Sequence, residues 1–198
     1  MDVSRYGKYI IFNLNHGYML CHLRMTGSLY VNKSEKKQVH DQAIFKLKNK
    51  SIEYLHFKDI RKFGGFYYYN DIDIFKNRIG VDPFDSIFSS GWLFNNLRNR
   101  KRQIKHLLLD QKILCGLGNI YIDEILWASK IHPKEISNEI SERKINILSK
   151  NIIRILEHSI QFHGTSIKDF TYDNLRTGEY RKHIKVFNRV GGNCYNCK

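Results

Sequence analysis

Lys105-His106-Leu107-Leu108-Leu109-Asp110-Gln111-Lys112-Ile113-Leu114-Cys115-Gly116-Leu117-Gly118-Asn119-Ile120-Tyr121-Ile122-Asp123-Glu124 is the stretch on which the reading of the chain turns. Its apolar residues keep helical spacing, break at Gly116 and Gly118, and resume that spacing from Ile120. The pattern predicts helix, glycine turn, helix, with Asn119 near the N-terminus of the second helix. Backbone N–H groups at such a terminus can donate to a phosphate, and a side-chain amide adds a hydrogen bond. The basic run Arg98, Arg100, Lys101, Arg102 and Lys105 lies just upstream. Taken alone, the pattern equally describes a generic helix pair packed on its glycines.

Working outward, the period changes on either side. Trp92, Leu93 and Leu97, then Ile104, Leu107 and Leu108, are helix-spaced. Asn119 to Lys130 and Ser141 to His163 read as helices, the second opened by Ser141 as N-cap. Before Val81-Asp82-Pro83-Phe84-Asp85 the grammar is different. Tyr9-Ile10-Ile11-Phe12, Tyr18 to Leu23, Ala43 to Leu47, Ile52 to Phe57 and Phe66 to Tyr69 are short apolar runs. Turn signals such as Asn15-His16-Gly17 and Asn49-Lys50 separate them, which predicts antiparallel strands in a sheet or sandwich. A β part followed by an α part argues two domains. From Tyr180 to the end the chain returns to strand-like residues, with Gly191-Gly192 before a final Cys194-x-x-Cys197.

Composition narrows the partner. At 42% hydrophobic the 198 residues can bury a core, which excludes wholesale disorder. Lys and Arg number 33 against 19 Asp and Glu, a net charge of +14, and a globular chain this basic suits a polyanion. Nucleic acid leads. A ribosome-associated protein, or a genome rich in Lys codons, gives the same balance. No apolar run spans a bilayer and no Lys-rich amphipathic helix stands alone, so a membrane partner is disfavoured. The opening Met1-Asp2-Val3-Ser4-Arg5 has no apolar signal core, so a cytoplasmic, reducing location is expected. Cys21 and Cys115 stand in apolar surroundings as core residues, while Cys194 and Cys197 read as metal or redox ligands.

The Lys105–Glu124 string resembles the helix–two-turn–helix segment of formamidopyrimidine-DNA glycosylases and the related endonuclease VIII enzymes. Other segments are similar to that family too. Arg5-Tyr6-Gly7-Lys8-Tyr9-Ile10 resembles its basic-Gly-Lys-Tyr strand entry. His22-Leu23-Arg24-Met25-Thr26-Gly27-Ser28-Leu29 resembles its His-Leu-x-Met-Ser/Thr-Gly strand and turn, and His40-Asp41 its His-Asp element. Asp59-Ile60-Arg61-Lys62-Phe63-Gly64 resembles its Asp-Pro-Arg-Arg/Lys-Phe-Gly loop, with Ile60 in place of proline. Gly164-Thr165-Ser166 and the Tyr180–Cys197 stretch resemble its lesion-capping loop and zinc hairpin.

The resemblance implies an α+β fold in three parts. Residues 1–88 would be a remnant of an N-terminal catalytic β-sandwich, incomplete at its front. Residues 89–176 would be the helix–two-turn–helix domain, and 177–198 the start of a zinc-finger hairpin. It implies base-excision repair by a bifunctional glycosylase and abasic-site lyase that removes oxidised purines, formamidopyrimidine and 8-oxoguanine. The partner would be double-stranded DNA with an oxidised base or abasic site, met by a monomer in a bacterial cytoplasm at the nucleoid.

Chemistry on a base requires lifting it from the stack, and the void must be filled. By resemblance Met25, Arg61 and Phe63 fill it, although Met25 alone reads first as a core strand residue and Phe63 equally as a turn-packing one. Lys8 matches the family's lysine that shuttles protons in β-elimination; without the resemblance it is a snorkelling strand lysine. His40 and Asn119 would bind phosphate, and Lys62, Arg100, Lys101 and Lys105 would add cations. Read from the residues alone, these are a surface histidine, a helix cap and solvated basic runs. Glu124 reads as structural, pairing with a nearby cation.

The family's nucleophile is an N-terminal proline amine that forms a Schiff base at deoxyribose C1′, next to a glutamate that acts as acid and base. Asp2 follows Met1 here, and the expectation is an inactive fragment truncated at both ends. Zinc requires four ligands, of which Cys194 and Cys197 would supply half. The alternative function is a non-catalytic damaged-DNA-binding module.

Overall fold

The computed structural model describes residues 2–48, 53–165 and 178–195. The chain forms two compact units. One comprises residues 1–71 and 163–181, the other 72–162 and 182–198. The Asn49-Lys50 turn, most of the Gly164-Thr165-Ser166 loop beyond Thr165, and Cys197 lie outside the described residues.

The first unit holds seven strands: β1 Asp2–Tyr6, β2 Tyr9–Asn13, β3 Tyr18–His22, β4 Gly27–Asn32, β5 Asp41–Leu47, β6 Glu53–Asp59 and β7 Gly65–Tyr69. They form two antiparallel sheets, ordered β1-β2-β3-β7 and β4-β6-β5. Alternation decides which side chains meet. Ile10, Phe12, Met19, Cys21 and Phe66 share one face of the first sheet and pack with Leu29, Ala43, Leu55 and Phe57 of the second. The Phe57 and Phe66 rings meet edge to face at 5.1 Å. Burial pushes the Cys21 thiol up to about 12, which suits a core residue and not a reactive one. The predicted Asn15-His16-Gly17 turn joins β2 to β3. Gly17 takes φ +82°, and a side chain there would strike the Tyr68 ring and the Tyr69 carbonyl.

The second unit is helical: α1 Ile72–Lys76, α2 Ser90–Arg98, α3 Ile104–Leu109, α4 Asn119–Ala128 and α5 Glu142–Gln161. Four of these follow the predicted periods; α1 is a short turn of helix with no such signal. Ser89 caps α2 by accepting the Trp92 N–H, and Ser141 caps α5 by accepting the Lys144 N–H. Leu93, Leu97, Leu107, Leu108, Ile122, Ile125, Leu148 and Ile152 form the buried interior. Among the described residues no helix is long and apolar enough to cross a membrane.

The C-terminal stretch corrects a sequence expectation. Residues 180–183 form a 3-10 turn, and no strand occurs between Tyr180 and Tyr195 among the described residues. The physical reason is the buried Glu124 carboxylate. It accepts hydrogen bonds from the successive N–H groups of Lys185, Val186 and Phe187 at 2.8–2.9 Å. Strand geometry sends successive N–H groups to opposite edges, so three cannot converge on one carboxylate. Glu124 therefore anchors backbone, where a cation had been expected as its partner.

Candidate nucleic-acid interface

In the first unit, three short loops leave the ends of strands close to Asp59, the last residue of β6. The first loop, 23–26, is tight: the Gly27 N–H bonds the Leu23 carbonyl at 2.9 Å and Arg24 takes φ +54°. It carries Met25, which is 67% exposed and so is no core residue. The second loop, 60–64, carries Arg61, Lys62 and Phe63, all exposed, with Lys62 at φ +57°. A side chain on Gly64 would collide with the His22 carbonyl and the Phe57 ring. The third loop ends at His40, exposed at φ +71°.

The tips of the first two loops touch. Arg61 directs its guanidinium at the Met25 sulfur, 3.3 Å away, and lies over the Phe63 ring at 4.8 Å. A thioether, a phenyl ring and a cation thus form one exposed plug. Exposed apolar groups bordering a charge make this plug a candidate binding surface.

Lys8 occupies the turn between β1 and β2 and is exposed. It is not embedded in a strand as its aromatic neighbours suggested. His22 stands opposite Tyr9 in the sheet and meets its ring edge-on at 4.6 Å. Burial, with the Arg24 and Lys8 charges, lowers the His22 imidazole to about 4, so it is neutral. Its Nδ1 accepts the Arg24 N–H at 2.9 Å, which assigns the remaining proton to Nε2.

In the second unit the predicted glycine turn is present. Gly116 takes φ +90°, and Asn119 is exposed as the first residue of α4. Gly118 precedes it as N-cap and offers no side-chain bond to the first N–H groups of the helix. Gln111 closes the turn. Its amide donates to the Leu109 and Leu117 carbonyls at 3.0 and 2.9 Å, and its oxygen accepts the Gly116 N–H at 3.0 Å. Residues Gly80 and Val81 brace the turn from outside through bonds to Gln111, Ile113 and Cys115.

The basic run is less uniform than its sequence. Lys101 is exposed. Arg100 bonds the Asn96 carbonyl at 2.6 Å near the C-terminus of α2. Lys105 is half-buried and pairs with Asp123 at 2.7 Å, so its charge is largely met within the protein. Arg102 pairs with Asp110 at 3.0 Å.

Cys194 is half-buried in the second unit and lines a cavity of about 730 Å³ with Val186, Trp127 and Lys105. Among the described residues no group of three or more His, Cys, Asp or Glu side chains is placed to hold a metal. The described residues therefore do not fit a closed zinc site. Sequence reasoning also missed Asp59, Gln111 and the pair of Asp41 with His56, whose work is to hold loops and turns.

Comparison with known proteins agrees with the fold. A model described as the formamidopyrimidine-DNA glycosylase N-terminal domain matches residues 1–66, and one described as that enzyme's H2TH domain matches residues 79–171. The formamidopyrimidine-DNA glycosylase of Mycoplasma mobile is 36% identical over 204 residues, covering 99% of this chain and 72% of the relative. That of Streptococcus agalactiae is 39% identical over 204 residues, covering 99% and 73%. A Lactococcus lactis Fpg in complex with DNA containing an abasic site superposes with a TM-score of 0.85 at 34% identity, covering 98% of this chain and 73% of that one. A MutM in complex with DNA containing carbocyclic 8-oxo-G gives 0.83 at 31%, covering 98% and 72%.

Proposed function

The chain belongs to the formamidopyrimidine-DNA glycosylase family, and on that premise we propose that it serves base-excision repair by gripping duplex DNA at an oxidised purine or an abasic site. The observation that carries this reading is the exposed plug in which Met25, Arg61 and Phe63 touch. Lifting a damaged nucleotide out of the helix leaves a hole and an orphaned base. Met25 and Phe63 would fill the hole and stack, as apolar wedges do elsewhere. Arg61 would donate hydrogen bonds to the orphaned base.

The other residues have roles consistent with their surroundings. Asn119 and the uncapped start of α4 would take a phosphate, as would His40 on its exposed loop. Lys62, Lys101 and Arg100 would add the salt-sensitive, sequence-independent grip. Lys105, held by Asp123, would act as a directed donor more than as a net charge. Lys8 would move a proton during strand cleavage at the abasic site, with neutral His22 beside it. Base excision followed by lyase cleavage is the activity proposed for the protein, through a proline amine followed by glutamate that these 198 residues do not contain.

A second reading, damage binding without chemistry, draws on one sequence fact. Neither Pro83 nor Pro133 is followed by glutamate, so these 198 residues contain no Pro-Glu pair. The polypeptide of these residues is expected to bind and to give no covalent adduct when borohydride is added to an abasic-site duplex. An adduct would show that another amine of the chain does the work. The test of the plug is the double variant Met25→Ala with Phe63→Ala. Its preference for an abasic-site duplex over an intact one is expected to vanish, while binding to intact duplex changes less than threefold, on the order expected when phosphate contacts are untouched. A double variant that still discriminates would remove the plug from the proposal.

A further inference from the structure

Asp59 is fully buried, yet every polar atom it has is spent on the loops around it. Its carboxylate accepts the Thr26 hydroxyl at 2.5 Å, the Arg61 N–H at 3.2 Å and the Gly64 N–H at 2.7 Å. Its own N–H bonds the His40 carbonyl at 3.0 Å, and its carbonyl accepts the Gln42 amide at 3.2 Å. The same Gln42 amide also bonds the His40 carbonyl at 2.9 Å. The Thr26 hydroxyl in turn accepts the Arg61 N–H at 3.3 Å.

We propose that Asp59 and Thr26 are positioning residues that latch the Met25 turn to the Arg61–Phe63 loop, so that the plug enters DNA as one preformed body. The proposal rests on the plug reading given above and adds what sets its geometry. Both loops are short and bent through left-handed residues, Arg24 and Lys62. Such loops hold one conformation only when the surroundings over-determine it. A carboxylate sheltered from water is a strong acceptor for several donors at once. Without the Thr26 hydroxyl, the contact remaining between the two loop tips among the described residues would be that of Arg61 with the Met25 sulfur. The plug would then pay its ordering cost at the moment of insertion, which lowers affinity for the form that needs it.

The experiment uses the full chain and three variants: Thr26→Val, Thr26→Ser, and Met25→Ala with Phe63→Ala. For each, the Kd ratio between intact and abasic-site duplex is measured, together with amide hydrogen exchange at Arg61 and Gly64. Thr26→Val removes the hydroxyl at constant shape. It is expected to lower the ratio about tenfold, the scale of one hydrogen bond to a charged acceptor. Binding to intact duplex should stay unchanged, which a general loss of structure would not allow. Both amides should exchange faster. Thr26→Ser restores the hydroxyl and should restore the ratio and the protection. If Thr26→Val keeps its ratio while the double alanine variant loses it, the latch is wrong and the plug stands. If the double variant keeps its ratio, the plug reading fails, and exchange alone then decides: unchanged amides in Thr26→Val overturn the latch. Should Thr26→Val fail to fold, Thr26→Ala takes its place and is read by the same two measurements.

Discussion

Each unit of the molecule contains a buried carboxylate that collects several backbone N–H groups, Asp59 in one and Glu124 in the other, and the two differ in reach. Asp59 holds Arg61 and Gly64, two and five residues ahead, and adds Thr26 across the sheet. Glu124 holds Lys185, Val186 and Phe187, sixty-one to sixty-three residues away. Asp59 shapes the base of a loop whose tip is exposed and fit to meet a partner. Glu124 fixes the course of a segment that has no ladder of its own. The same chemistry thus serves presentation in one unit and closure in the other. The difference teaches that a carboxylate in a basic protein need not answer a cation. For a buried carboxylate, N–H groups that would otherwise be stranded are sufficient partners.

The largest effect that would break this comparison is at Glu124. Glu124→Leu strands three N–H groups and is expected to cost roughly 3 kcal/mol or more, at about 1 kcal/mol for each. Denaturant unfolding measures the loss, and exchange should become fast at residues 185–187. If those amides stay protected, Glu124 is not the anchor. Asp59→Asn comes next. The amide keeps one acceptor oxygen but turns an N–H₂ toward donors, and about 2 kcal/mol should be lost. Its signature is local, with fast exchange at Arg61 and Gly64 while residues 185–187 remain protected. A variant that loosened both regions together would erase the distinction between them.

The smallest effect sharpens the comparison through pH. Burial raises the Asp59 carboxyl, but the Thr26 hydroxyl and the Gly64, Arg61 and Phe63 N–H groups outweigh it and hold it below the ordinary value. A folded value below the unfolded one means that stability is fully present above the unfolded value, about 3.9, and is lost as pH falls through the folded one. The stability gap between the native chain and Asp59→Asn should therefore be constant from about pH 7 to 5 and shrink below about pH 4. Asp41 shares this direction, because bonds from His56, Gln38 and Tyr30 outweigh its burial. Urea unfolding across that range would expose a gap that fails to narrow, which would mean that Asp59 is not ionised in its latch.

Much of the architecture was legible because its causes are local. Helical spacing located α2 to α5, and alternation with turn residues located most strands. Gly17 and Gly116 stand where positive φ is needed, and Ser141 caps α5 as its position implied. The tip residues of the candidate site, Met25, Arg61 and Phe63, were singled out by the family resemblance of their motifs and not by period or spacing. What the sequence missed sits beneath them. Thr26 and Asp59 are 33 residues apart, and Asp41 and His56 are 15 apart in a buried pair at 2.8 Å. No period or spacing in the chain records such partners. Lys105 was legible as a cation but not as half of an ion pair with Asp123, a residue of the next helix.

The sequence by itself located most of the strands, four of the helices and several of the turns, and its net charge of +14 suits a polyanion. These follow from side-chain period, backbone propensity and net charge, all of which are properties of neighbours along the chain. Tertiary structure alone decided that Met25 faces solvent, that Glu124 grips backbone, and that a single buried aspartate gathers the Met25, His40 and Arg61 loops. The reason is that a buried polar group must find partners wherever the fold brings them, and only the folded chain says which donors arrive.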